Sequence, residues 1–185
     1  MKRVCVYCGS REGVNPTFAA TAAELGVLLA ERGLELVFGG GKVGLMGIVA
    51  DSVLEAGGHV VGVIPEHLAT VELTHPDVPD MRVVKSMHER KAMMIDLADG
   101  FIALPGGFGT MEELFEVLCW RQLRLHSCPI AVLNAGGFYD DLEALINRMV
   151  SDELLCSANA NSVIMETQVV PLLDRLQSWI PEESQ

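Results

Sequence analysis

Short apolar runs alternate with stretches of helical period along almost the whole chain. Residues 3–7, 35–38, 59–64, 81–84, 101–104 and 129–133 are runs of four to six residues rich in Val, Ile, Leu and Phe, and each reads as a strand. A weaker seventh run spans 163–165. Between them, residues 18–32, 45–56, 87–98, 110–125, 139–150 and 167–179 repeat their apolar positions at helical spacing. Asn15 followed by Pro16 marks a helix start, as an N-cap with proline at the first helical position. Gly33 and the pair Gly57-Gly58 mark stops. Residues 65–80, with three prolines, read as irregular.

Strands alternating with helices of this length predict βαβ units. The expected fold is α/β: a Rossmann-like, doubly wound parallel sheet with helices on both faces. At 185 residues it forms one domain spanning the chain, with 181–185 as a frayed tail. In such folds ligands sit outside the carboxyl ends of the strands. The turns after residues 7, 38, 64, 84 and 104 are therefore where chemistry is expected.

Composition narrows the partners. A net charge of −12 argues against nucleic acid or an anionic membrane surface, both of which would repel the chain. Half of the residues are hydrophobic, which suits a sheet covered on both faces and also a subunit interface. No apolar stretch approaches the roughly 20 residues of a membrane span. The first residues lack a signal-peptide pattern, so a cytoplasmic protein is expected. Five cysteines without a secretory context do not suggest disulfides. Cys5-Val6-Tyr7-Cys8 has redox CxxC spacing, but it lies in a strand, where residues three apart face opposite ways. The histidines are scattered and give no metal-site spacing.

Three turns carry candidate chemistry. After the first strand come Gly9, Ser10 and Arg11, able to hold an anion. After the second come Gly39, Gly40, Gly41, Gly44 and Gly47, with Met46 among them. This turn contains a literal GxGxxG, and Glu66 stands about where a ribose-binding acid would, so a dinucleotide site competes. Against it, that fingerprint normally follows the first strand. A Walker loop is excluded because no Gly-Lys-Ser/Thr occurs. The third turn, Pro105-Gly106-Gly107-Phe108-Gly109-Thr110, frees the backbone beside a helix start, with Thr110 as the expected cap. Glu112 and Glu113 follow, either complementing the helix dipole or acting on a bound nucleotide. In so acidic a chain the basic group Arg82, Lys85, His88, Arg90 and Lys91 stands out. Arg90 and Lys91 lie about 100° apart on a helix, so only one can face a site squarely.

Together these motifs resemble the LOG family, the cytokinin riboside 5′-monophosphate phosphoribohydrolases often labelled lysine decarboxylases. The family's PGGxGTxxE stands as Pro105 to Glu113, with Met111 and Glu112 inside it, and its Met-x-x-Arg-Lys as Met87 to Lys91. The resemblance runs over residues 3–155. It implies hydrolysis of the N-glycosidic bond of AMP or a cytokinin nucleotide, with Arg90 and Glu113 as the catalytic pair. It further implies Glu72 as an acid closing over the substrate, no cofactor, no PLP, no metal, and a homodimer or higher oligomer. Phe108, where Tyr is frequent, and Cys119, where Thr is common, depart from the pattern and bear on fine specificity. A non-catalytic nucleotide carrier or sensor on the same scaffold is the rival, and an NAD-dependent oxidoreductase a more distant third.

Overall fold

The computed structural model describes residues 1–70 and 73–180. Its elements run β1 (Arg3–Tyr7), α1 (Pro16–Glu31), β2 (Glu35–Phe38), α2 (Gly44–Glu55), β3 (Val60–Pro65) and β4 (Asp80–Val84). There follow α3 (Met87–Leu97), β5 (Gly100–Ala103), α4 (Phe108–Gln122), β6 (Ile130–Leu133), α5 (Asp140–Ser151), α6 (Ser157–Asn161), β7 (Val163–Glu166) and α7 (Val169–Gln177). The strands form one parallel sheet in the order β4-β3-β2-β1-β5-β6-β7. The doubly wound fold expected from the alternation is therefore the one observed.

Two apolar layers clamp the sheet. On one face α1, α2 and α7 place Leu25, Leu29, Val49, Val53 and Leu172 over Val6, Leu36 and Ile102. On the other, α3 and α4 place Met94, Leu114 and Val117 over Tyr7, Val37 and Phe101. Every strand residue of β3, β5 and β6 is buried, as a sheet covered on both faces requires.

Local chemistry explains the ends. Asn15 Oδ1 accepts from Thr17 N–H at 3.0 Å and Pro16 takes the first helical position, as the sequence implies. Pro171 falls inside the first turn of α7, where its missing N–H has no helical partner to lose. That helix is two residues shorter at each end than the apolar period suggests. The expectation for α4 needs correction. It begins at Phe108 with Gly107 as N-cap, so Thr110 is a buried first-turn residue and not the cap. Glu112 and Glu113 consequently fall in the second turn, beyond the reach of simple dipole complementation. Helix α6 is absent from the pattern, because Ser157-Ala158-Asn159-Ala160-Asn161 carries no apolar period.

Among the described residues, no helix is long and apolar enough to cross a membrane. Residues 181–185, expected as a frayed tail, lie outside the described residues.

Cys5 and Cys8 face opposite layers, Cys5 beside Tyr7 and Phe101, Cys8 beside Val6 and Leu104. Burial pushes both thiols well above the ordinary cysteine value, the reverse of a redox pair. With Ellman's reagent the native protein should react quickly only at the exposed Cys119 and Cys156, Cys5 and Cys8 waiting for denaturant. Formation of a Cys5–Cys8 disulfide under mild oxidant would overturn this reading.

Candidate active site

The strand order reverses direction between β1 and β5. The chain winds outward from β1 through β2 to β4, then returns to the other side of β1. A doubly wound sheet opens its ligand crevice at this switch point. The turns after β1 and β5 meet there, with Gly9 N–H donating to Pro105 O at 3.0 Å. A Cβ on Gly106 would stand 2.1 Å from Thr110 Oγ1 and 2.9 Å from Gly9 N, so only glycine lets the two turns close. Tyr139, fully buried, donates its hydroxyl to Leu104 O at 2.6 Å and braces the turn from the β6 side. Asn134 holds Tyr139 in place by accepting its backbone N–H at 2.7 Å.

The first-turn N–H groups of α4 emerge from this junction. Its N-cap, Gly107, has no side chain to satisfy them, so they remain available to an anion at the positive end of the helix. Beside the turn lies a cavity of about 380 Å³, lined by Ser10, Arg11, Phe18, Leu45, Gly107 and Phe138. The ring of Phe108 stands almost wholly in solvent at the mouth of the site. Met111 is half-buried on the inner side of α4.

Arg90 and Glu113 come together one turn into α4. The start of α3 tolerates its cations because Ser86 caps it, accepting from Glu89 N–H at 3.2 Å, while Glu89 accepts from Lys85 N–H at 2.9 Å. Arg90 then donates from Nη1 to Glu113 Oε1 at 2.9 Å and from Nε to Val63 O at 3.1 Å. A Cβ on Gly39 would lie 2.0 Å from Arg90 Nη2, so the glycine at the end of β2 clears the space the guanidinium occupies. Both side chains of the pair are only about a tenth exposed, at 11% and 10%. Burial pushes the Glu113 carboxyl above the ordinary carboxylate value, and the Arg90 charge opposes that rise.

The 100° separation of Arg90 and Lys91 has the expected effect. Lys91, itself buried, turns away from Gly39 and donates from Nζ to Glu112 at 2.7 Å and Glu116 at 3.0 Å. Its ammonium is thus engaged with two carboxylates of α4, one of them Glu112, which had stood as an alternative to Glu113. Met46 lies over the glycine turn, its Sδ 3.3 Å from the Cβ position of Gly39 and its Cε 3.1 Å from that of Gly41. Gly40 adopts a φ of +74°, and its carbonyl accepts from His75 N–H at 2.9 Å. Glu72 lies outside the described residues. The GxGxxG turn follows β2, one strand away from the switch point, and Glu66 is an exposed residue of a short 3-10 turn. Neither feature is where a dinucleotide fingerprint requires it. Three partners were not readable from motifs: the carbonyl of Val63, the hydroxyl of Tyr139, and His75. His75 carried a local backbone signal, since it precedes Pro76 and is thereby biased to extended backbone. Among the described residues, no group of three or more His, Cys, Asp or Glu side chains is placed to hold a metal ion.

A family model described as "Possible lysine decarboxylase" matches residues 46–176. The chain is 45% identical to the cytokinin riboside 5′-monophosphate phosphoribohydrolase LOG of Oryza sativa subsp. japonica, over 98% of this chain and 75% of that one. The chain belongs to the LOG family. An Arabidopsis thaliana protein with the same activity in its name is 44% identical, over 98% of this chain and 85% of its own. The fold recurs in the molybdenum cofactor carrier protein of Chlamydomonas reinhardtii, with a TM-score of 0.73 at 21% identity, covering 96% of this chain and 99% of that one. At that identity the likeness concerns the fold.

The α3–α4 ion cluster gives a stability prediction. The two carboxylates that accept from Lys91 raise its pKa, so the cluster stabilises the fold fully below the ordinary lysine value of about 10.4 and less as pH rises through the raised one. Lys91→Met should lower stability in urea by on the order of 1–3 kcal/mol at pH 7. The gap to wild type should narrow above pH 10. A gap independent of pH would assign the loss to packing instead.

Proposed function

We propose that this chain hydrolyses the N-glycosidic bond of a nucleoside 5′-monophosphate, giving the free base and ribose 5-phosphate. The observation that carries the reading is a buried carboxylate, Glu113, paired with Arg90 one turn behind an uncapped helix start. The names of the curated relatives support the same reaction class.

The 5′-phosphate would bind the turn of Gly106, Gly107, Phe108, Gly109 and Thr110, with Ser10 and Gly9 facing it across the junction. Gly40, Gly41 and Met46 would line the ribose and base, and Glu72 would close over them. As the bond between C1′ and the base nitrogen breaks, its electron pair leaves with the base and positive charge builds on the ribose. An ionised Glu113 would steady that charge and take a proton from the attacking water, whose oxygen bonds C1′. The base gains a proton in leaving. Arg90 would orient the ribose hydroxyls or assist the departing base, and holding the phosphate remotely would align the bond being broken.

For the assembly we infer a homodimer, and for the compartment the cytoplasm. The amphipathic helix α5 buries no residue within the described chain, and Leu123 and Leu125 stand 67% and 64% exposed. All five cysteines are free, which suits a reducing compartment. Light scattering should return twice the chain mass; a monomer at micromolar concentration refutes the dimer, and a larger multiple extends it.

Incubation with AMP should release adenine, detected by chromatography, and isopentenyladenosine monophosphate in parallel should rank the two bases. Glu113→Gln and Arg90→Ala should each lower turnover by about 10²- to 10⁴-fold with the fold intact by circular dichroism. Wild-type turnover in Glu113→Gln removes Glu113 from the mechanism. Because the Glu113 carboxyl titrates above the usual carboxylate range of about 4.3, activity needing its anion should rise with pH through that higher value. Arg90→Gln removes the opposing charge and should move the acid limb of its residual kcat/KM further up in pH.

A further inference from the structure

Residues 73–77 are tied down more firmly than an irregular crossover requires. Lys42 N–H donates to Leu73 O at 2.9 Å, Thr74 forms an antiparallel bridge with Gly41, and His75 N–H donates to Gly40 O at 2.9 Å. The strap therefore lies along the glycine turn that follows β2. Its anchor is the ring of His75, which is only 4% exposed. Asp77 N–H donates to its Nδ1 at 3.3 Å, which leaves Nε2 to carry the proton toward Asp51 Oδ1 at 3.0 Å. The ring also meets Phe38 edge-on, with centroids 6.4 Å apart at an interplanar angle of 77°. Both nitrogens and the backbone of this residue are thus engaged.

We propose that His75 is a positioning residue for the substrate site: through Asp51 it fixes the strap, and through the strap it fixes the glycine turn that meets the nucleotide's ribose and base. The inference rests on the hydrolase reading above. Its physical ground is that Gly39, Gly40 and Gly41 carry no side chains with which to hold their own conformation. That turn is nevertheless packed tightly between Arg90 Nη2 on one side and Met46 on the other. An external brace is needed, and hydrogen bonds from the strap reach the turn at Gly40 O and Lys42 N–H. An apolar residue would fill the space under Phe38 without fixing an angle, whereas a histidine satisfied at both nitrogens fixes one. Asp51, on α2, is 57% exposed at its side chain, so it adds direction to the ring without adding core packing.

The test separates positioning from stability. Asp51→Ala removes the anchor of the ring without opening the core. It should raise KM for AMP, and the Kd for AMP measured by calorimetry, about tenfold, with kcat within about twofold of wild type, as loss of uniform binding predicts. Asp51→Asn keeps an oxygen acceptor and should restore both constants. His75→Gln, which keeps a donor near the Nε2 position, should lie closer to wild type than His75→Ala. A merely structural role lowers the melting temperature, or lowers apparent kcat through a smaller folded fraction, at unchanged KM and Kd; that pattern in Asp51→Ala overturns the proposal. If the wild type binds AMP but releases no adenine, the hydrolase reading fails and the Kd comparison still decides the strap. If the wild type does not bind AMP, both fall.

Discussion

The ion pair between Arg90 and Glu113 is the constraint around which the rest of the site is arranged. Two charges taken out of water cost several kcal/mol each unless their remaining hydrogen-bonding capacity is met. The structure gives the Arg90 guanidinium a carboxylate at Nη1 and the Val63 carbonyl at Nε, while Gly39, lacking a side chain, leaves room for Nη2. These three residues come from different elements: α4, β3 and the end of β2. The pair can form only when the sheet is in register and both helices are seated. The geometry of this pair and the tertiary fold are in that sense one condition.

Lys91 shows how a single helix serves two purposes. Its neighbour Arg90 faces the crevice, and Lys91, about 100° around the helix, reaches Glu112 and Glu116. Glu112 and Glu116, on either side of Glu113, are thereby paired with a cation. Glu112 adds its negative charge to the rise in the Glu113 pKa that burial causes, and the Lys91 ammonium opposes that rise. An anion usable near neutral pH requires that rise to be contained. The overall charge of −12 makes such containment a local task, since the chain offers few cations to spare.

The elements legible in the sequence were those whose signal is local. Continuous apolar runs fixed the strands to within a residue, and Asn15-Pro16 marked the helix start it forms. The glycine turn at 105–110 was legible as a tight turn into a helix start because its glycine spacing is itself the signal. What escaped was decided at a distance or by backbone torsion. Thr110 looks like a cap by composition, yet the extended backbone falls at Gly107, and the threonine is drawn inside against Gly106. His75 and Asp51 are 24 residues apart and meet only because β3 and α2 bring the crossover back over the glycine turn. No periodicity records such a contact. Helix α6 escaped for the opposite reason, having too little apolar content to leave any pattern.

The proposed role of Glu113 rather than Glu112 is also supported by geometry along α4. Glu113 stands five residues beyond Phe108, about 7.5 Å along the helix axis at 1.5 Å per residue. A phosphate held by the first-turn amides and a carboxylate at Glu113 are therefore separated by about the length of a ribose. On the proposed reading the spacing in the motif would act as a ruler, the helix start fixing the 5′ end and the second turn reaching the anomeric carbon. Glu112 lies at nearly the same height but on the outward side, 59% exposed and paired with Lys91. Height alone would allow either residue; only rotation about the axis puts Glu113 in the dry crevice with Arg90. A substrate lacking the 5′-phosphate would lose the zero point of that ruler while keeping every group at its far end.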